Sequence, residues 1–129
     1  MAKRDADLKI VKEQFPTAVE SSYGVYYIET HEGSGDSPKQ GQEVFVHYTG
    51  KLLNGKVFDT SVDRGVPIDF RIGLGEVIDG WDKAIIDMKK GEKRTLIIPP
   101  ELAYGSRGAA GVIPPNAWLV FYVELVDFK

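Results

Sequence analysis

Beyond residue 20 this chain has one stretch whose apolar residues recur at helical spacing, while its other apolar stretches read as strands. From Val77 to Lys90, the side chains of Val77, Ile78, Trp81, Ala84, Ile85 and Met88 fall on one stripe, with Lys89 and Lys90 at its end and Gly91 as a stop. Around it, Val25-Tyr26-Tyr27-Ile28 is β-branched and aromatic and runs into the turn formers of Gly33 to Pro38. Val44, Val46 and Tyr48 alternate with Phe45, His47 and Thr49, and Asn54-Gly55 is a strong hairpin signal that leads into a strand holding Val57 and Phe58. Ile68, Phe70 and Ile72 alternate with Asp69 and Arg71, Leu96 to Ile98 is a strand stopped by Pro99-Pro100, and Leu119, Phe121, Val123 and Leu125 alternate along a final strand. Strands with one apolar face and a single helix can hide those faces only against each other. The expected fold is therefore α+β, an antiparallel twisted β-sheet wrapped around one short α-helix.

Residues 1–20 read as an extension. Leu8, Val11 and Phe15 lie at helical spacing among Lys9, Lys12, Glu13 and Gln14, and Pro16 blocks continuation, so a short helix over residues 6–15 is predicted. Trp118, Val120, Tyr122, Val126 and Phe128 form a second apolar series on the final strand, opposite the inward set. Either the N-terminal helix covers that face, in the same chain or a neighbouring one, or it is a frayed tail.

Composition excludes several functions. The chain has 129 residues, 43% of them hydrophobic, enough for one domain with a core. Its 16 basic and 19 acidic residues give a net charge of −3 with no long block of either sign, so no nucleic-acid partner is expected. No segment approaches the roughly 20 apolar residues that span a bilayer, and the polar start resembles no signal peptide, so no membrane partner and a cytoplasmic location are expected. The absence of cysteine removes disulfides, thiolate nucleophiles and Cys-ligated metal. His31 and His47 are the only histidines, and neither they nor Ser61 and Ser106 stand at the spacing of a metal or hydrolytic motif. Gly73-Leu74-Gly75 lacks the third glycine and the strand-helix setting of a dinucleotide site. No cofactor and no metal are expected. The small-residue stretch Gly108-Ala109-Ala110-Gly111 reads as a mobile loop of the kind that carries function.

An ordered series of short motifs points further: Val-His-Tyr-Thr-Gly at 46–50, Gly-Lys-Val-Phe-Asp-Thr-Ser at 55–61, Glu-Val-Ile-Asp-Gly-Trp at 76–81, Ala-Tyr-Gly at 103–105 and Ile-Pro-Pro-Asn-Ala-Trp-Leu-Val-Phe at 113–121. Each is weak alone. Together, over about residues 24–128, they resemble the FKBP family of peptidyl-prolyl cis-trans isomerases, the binders of tacrolimus and rapamycin. The resemblance makes residues 21–129 an isomerase domain. It implies that Tyr48, Phe58, Asp59, Trp81, Tyr104 and Phe121 form the catalytic pocket, with Trp81 as its floor. Tyr104 and the backbone N–H of Ile78 would hold carbonyls, and Arg64 would orient Asp59. Ile68, Glu76, Val77, Ile78, Ala109, Val112, Ile113 and Arg64 are implied in substrate or inhibitor binding. The implied partners are proline-containing polypeptides and macrolides such as tacrolimus and rapamycin. The chain is expected to be a monomer, with a dimer through the N-terminal helix as the alternative.

Other readings stand beside these. Phe58, Trp81 and Phe121 would also serve as ordinary core residues, Asp59 could cap a turn and Arg64 could be a solvated charge. A protein-interaction or chaperone-like module could keep the fold and pocket with little isomerase activity, and a generic β-rich domain would fill the pocket with its own side chains. The chain departs from the family pattern in three places: Ile68 where an aromatic residue is common, the pair Ala109-Ala110 where bulkier residues are frequent, and Tyr122 in place of an acidic residue.

Overall fold

A computed structural model describes residues 3–129. The alternating segments become strands Val19–Glu20 (β1), Tyr26–His31 (β2), Glu43–Leu52 (β3), Val57–Thr60 (β4), Ile68–Arg71 (β5), Lys93–Ile98 (β6) and Leu119–Phe128 (β7). All pairings are antiparallel, in the order β1-β2-β6-β7-β3-β4, with β5 also paired to β3. One sheet edge of β3 is therefore shared by β4 near its C-terminal end and β5 near its start. The sheet confirms the α+β expectation, and β1 is a strand that periodicity over two residues could not announce.

The Asn54-Gly55 signal does close a hairpin, but by a longer route than a two-residue turn. Gly55 N–H donates to the Leu52 carbonyl at 2.9 Å and Leu52 N–H to the Lys56 carbonyl at 2.9 Å, with Gly55 alone at positive φ (90°). This is a three-residue loop whose last residue takes the left-handed position.

The inner face carries the core. Val44, Val46 and Tyr48 of β3, Leu96 and Ile98 of β6, and Leu119, Phe121, Val123 and Leu125 of β7 are buried against Trp81, Ala84, Ile85 and Met88. At about 1.5–3 kcal/mol for each large side chain taken from water, this one cluster dominates the stability of the domain.

The central helix is shorter than its stripe. Helix α2 spans Asp79–Ile85, not the predicted 77–90. Ile78 sits at its N-cap with extended backbone (φ −60°, ψ 149°), and after Ile85 the chain tightens into turns closed by Asp87 N–H to Ala84 and Met88 N–H to Ile85. The missing turns have other partners. The Lys90 carbonyl accepts from Ser34 N–H, Gly91 N–H donates to Leu125, and the carboxylate of buried Glu92, ion-paired to Arg94, accepts from Lys89 N–H. These bonds bend residues 86–92 into β6, while Met88 stays buried on the stripe's face.

Helix α1 spans Lys3–Gln14. It lies on the outer face of its own sheet, where Val11, Ile97, Trp118 and Val120, each at most 2% exposed, form a second cluster flanked by Leu8, Phe15, Tyr26 and Leu53. The outer series is thus partly covered, with two corrections. Tyr122 is 40% exposed, with Lys51 Nζ 5.0 Å from its ring centre. Phe128 packs into the inner cluster, because a bulge lets Phe45 face Asp127 while Val46 faces Leu125 and so reverses the alternation past Val126. Replacing Val11 with aspartate should cost about 2 kcal/mol in urea unfolding, since a carboxylate cannot be buried there and the helix must lift. Unchanged stability would mean that the contact contributes nothing.

Candidate functional site

Where β3, β4 and β7 meet the start of α2, the inner face is left open. Tyr48 comes from β3, Phe58 and Asp59 from β4, Ile68 from β5, Glu76, Val77 and Ile78 from the segment before α2, Trp81 from α2, Tyr104 from the loop after the turn at Pro100–Leu102, and Phe121 from β7. Together they line one cavity of about 200 Å³.

Its base is made of aromatic edges. The Trp81 ring, 4% exposed as a residue, meets Tyr48 edge-on at 4.9 Å and Phe121 edge-on at 5.2 Å, and Phe70 lies beneath at 5.9 Å. Phe58 meets Phe121 edge-on at 5.7 Å. Such T-shaped contacts fix ring orientation beyond what area burial alone does. The Trp81 indole N–H is buried without a hydrogen-bond partner.

One side of the cavity is polar. The Tyr48 hydroxyl donates a short hydrogen bond to Asp59 Oδ2, and Arg64 reaches both, its Nη1 3.0 Å from Asp59 Oδ1 and its Nη2 3.3 Å from the Tyr48 oxygen. Partial burial pulls the Asp59 carboxyl upward, but the hydrogen bonds from Tyr48 and Arg64 outweigh it and hold the group below the usual carboxylate range. Burial, and then the bond to Asp59, push the Tyr48 hydroxyl up. The site therefore carries a fixed carboxylate and a neutral phenol at neutral pH.

The sign of the linkage follows. Asp59 contributes stability that is present above its unfolded pKa near 3.8 and is lost as pH falls through the lower folded value. Tyr48 contributes stability present below about 10 and lost as pH rises through its higher folded value. Asp59 is 41% exposed in its side chain, so solvent screens part of its contribution. The urea-midpoint gap between the wild type and Asp59→Asn should be steady from pH 5 to 8 and narrow toward pH 3. A gap of constant size down to pH 3 would refute the depressed carboxyl.

The remaining residues named from the sequence, Arg64, Ala109, Val112 and Ile113, are not on the cavity wall. Arg64 acts on it through Asp59 and Tyr48. Ile113 is buried in the main cluster at 6% exposure, Ala109 packs partly against that cluster, and Val112 is 46% exposed. Ala109 and Ile113 exchange two backbone hydrogen bonds of 2.8 Å, which close the small-residue loop on itself.

Sequence reading passed over Ser61 as a residue with no histidine at motif spacing. Its Oγ is in fact 2.9 Å from His47 Nδ1, brought there by the β3–β4 pairing. The contact is not a nucleophile and base. Ser61 is fully buried, and its Oγ also accepts from Tyr48 N–H at 2.7 Å and faces the Tyr48 carbonyl at 3.3 Å, so it fastens the strand that presents Tyr48. Among the described residues no group of three histidine, aspartate or glutamate side chains could hold a metal ion.

Comparison with known proteins places this geometry in context. The model of the FKBP-type peptidyl-prolyl cis-trans isomerase domain matches residues 35–126. FK506-binding protein 1 of Dictyostelium discoideum is 55% identical over 98 residues, covering 76% of this chain and 92% of the relative. FK506-binding protein 2 of Candida glabrata is 67% identical over 88 residues, covering 67% of this chain and 65% of the relative. Among solved structures, FkpA from Escherichia coli superposes with a TM-score of 0.86 at 46% identity, covering 98% of this chain and 59% of that one. AtFKBP13 superposes with a TM-score of 0.82, also at 46% identity, covering 87% and 98%.

Proposed function

The chain belongs to the FKBP-type peptidyl-prolyl cis-trans isomerase family, and from that premise we propose that its aromatic cavity speeds rotation about X-Pro bonds of protein substrates by desolvation and by fitting the twisted amide. The barrier of roughly 18–20 kcal/mol is loss of amide conjugation, so no nucleophile, metal or cofactor has to act. The planar amide is charge-separated and best solvated in water. A proline ring seated on Trp81, between Phe58 and Phe121, takes that amide out of water and raises the planar state toward the twisted one. Lowering the barrier by about 4 kcal/mol gives about a thousandfold in rate.

The polar groups then have directional tasks. Ile78 N–H and the Tyr104 hydroxyl hold carbonyls on either side of the rotating bond. Asp59, kept ionised by Tyr48 and Arg64, presents a fixed negative edge to the carbonyl carbon side of the amide as conjugation is lost. Macrolides such as tacrolimus compete for the same walls, in keeping with the names of the FK506-binding relatives.

The observation that carries this reading is that the cavity is open and apolar with one polar side, where a structural domain would have filled it with its own side chains. Exchange between cis and trans forms of a Leu-Pro peptide, followed by NMR with and without rapamycin, tests it. Turnover above buffer at micromolar protein, abolished by rapamycin, is the expected result. Exchange no faster than buffer would overturn it in favour of a binding module.

A further inference from the structure

The stretch Gly73-Leu74-Gly75, too short for a dinucleotide motif, has a carboxylate of its own chain as its ligand. Both glycines are left-handed, at φ 80° and 77°, and their N–H groups converge on one side chain. Gly73 N–H donates to Asp82 Oδ1 at 2.8 Å and Gly75 N–H to Asp82 Oδ2 at 2.9 Å. Two backbone donors of one turn aimed at the same point in this way suit an anion. Asp82 stands on α2 directly after Trp81, and its own N–H donates to the Ile78 carbonyl at 3.2 Å, as does Trp81 N–H at 3.0 Å. One residue therefore ties both ends of the segment 73–78 to the helix that carries the cavity floor.

That segment supplies Glu76, Val77 and Ile78 to the cavity wall. Its other attachments lead away from α2: Gln40 Nε2 donates to the Gly73 carbonyl at 3.1 Å, and Arg71 N–H donates to Glu76 Oε1 at 2.9 Å. Among the described residues the Asp82 carboxylate is thus the hydrogen-bonding side chain that ties the segment to α2, beside the packing of Val77 and Ile78 on the core cluster of Trp81.

We propose that Asp82 is a positioning residue of the isomerase site, holding the Ile78 N–H and the Val77 wall at the right height over the Trp81 ring. The proposal rests on the isomerase reading above, because the spacing between a carbonyl donor and the ring floor matters only if a ligand of that site lies between them. Asp82 itself touches no substrate. It lines a different depression, with Tyr23, Gln40, Gly73, Gly75 and Lys83. A neutral amide at this position keeps the volume but turns one acceptor into a donor facing a glycine N–H, so one of the two bonds must break.

The test compares Asp82→Asn, Asp82→Glu and the charge control Asp79→Asn in the full chain, at a temperature where circular dichroism shows each folded. Asp82→Asn should lower kcat/KM for a Leu-Pro peptide about tenfold and weaken tacrolimus by a similar factor, as small misplacements of a positioning group do. Asp82→Glu, which keeps both acceptor oxygens, should recover most of that loss, and Asp79→Asn should match the wild type. Amide exchange should speed up at Gly73 and Gly75 in Asp82→Asn and stay unchanged in the sheet. Wild-type kcat/KM and affinity in Asp82→Asn would overturn the proposal, as would equal losses in all three variants or a loss that tracks only the unfolded fraction. If the wild type turns over no X-Pro peptide, the isomerase reading fails by itself and the tacrolimus comparison decides, equal affinities overturning the proposal. If it binds no tacrolimus either, the segment has nothing to position and the proposal falls.

Discussion

Truncating Phe58 to alanine should lower kcat/KM by about tenfold to a hundredfold while costing only about 1–2 kcal/mol of stability. The asymmetry comes from where the ring sits. A fully buried phenylalanine loses about 3–5 kcal/mol on truncation because a cavity is left inside the core. Phe58 is on β4, at the edge of the sheet, and is only half-buried, packed on Phe121 and facing the cavity. Much of its apolar surface is therefore left open to the cavity, where the proposed function seats the substrate, and its loss should register in turnover first. Asp59→Val should act in the same direction for a different reason: it preserves volume but leaves the Tyr48 hydroxyl and Arg64 without their shared acceptor. Peptide exchange rates set beside urea midpoints separate the cases. If activity and stability fall in proportion, both residues are core and the pocket reading is wrong.

Adding a single methyl at Gly50 should be more damaging than either. Gly50 lies within β3 opposite Phe121 of β7 and Asp59 of β4. A Cβ built there would stand 2.6 Å from Phe121 Cε1 and 2.8 Å from Phe58 Cζ, closer than real contacts allow. Phe121 cannot retreat, since its other sides rest on Trp81 and Tyr48. Either the rings swing into the cavity or the strands separate. Overpacking of this kind costs about 1–3 kcal/mol, and a ring in the cavity excludes the ligand directly. Gly50→Ala should therefore show a lowered urea midpoint and a tacrolimus affinity reduced by more than about tenfold, with 1.4 kcal/mol per decade as the conversion. Wild-type affinity in this variant would show that the two rings relax elsewhere and that the close approach has no functional consequence.

Much of this was legible along the chain, because periodicity reports which face of a segment is buried. The alternation in 44–49, 68–72 and 119–125 and the stripe around Trp81 required a sheet wrapped on one helix, and nine of the ten residues that line the cavity stand in the ordered motifs, Ile68 having been implied by the wider resemblance alone. Leu8, Val11 and Phe15 likewise announced a helix, but whether it covers the face of Trp118 and Val120 or frays was left open by the sequence, and the structure packs it there.

Periodicity cannot say where a segment stops or what competes for its backbone, because those partners lie outside the repeat, most of them on other strands and loops. Helix α2 ends at Ile85 because Ser34, Leu125 and Glu92 take the hydrogen-bonding groups of residues 89–91. Phe128 turns inward because one bulged residue reverses a period of two, which no alternation rule anticipates. Ser61 meets His47 only through strand pairing, and Asp82 meets Gly73 and Gly75 only because the chain folds back over α2. The periodicity of the sequence determined the architecture, because burial of one face is a local property of side chains, whereas the cavity walls followed only from the family resemblance, since periodicity cannot tell a pocket from a core. Apart from Arg64 beside Asp59, which the resemblance implied, the tertiary structure alone decided the polar fastenings, since a hydrogen bond exists only where two groups are brought within about 3 Å.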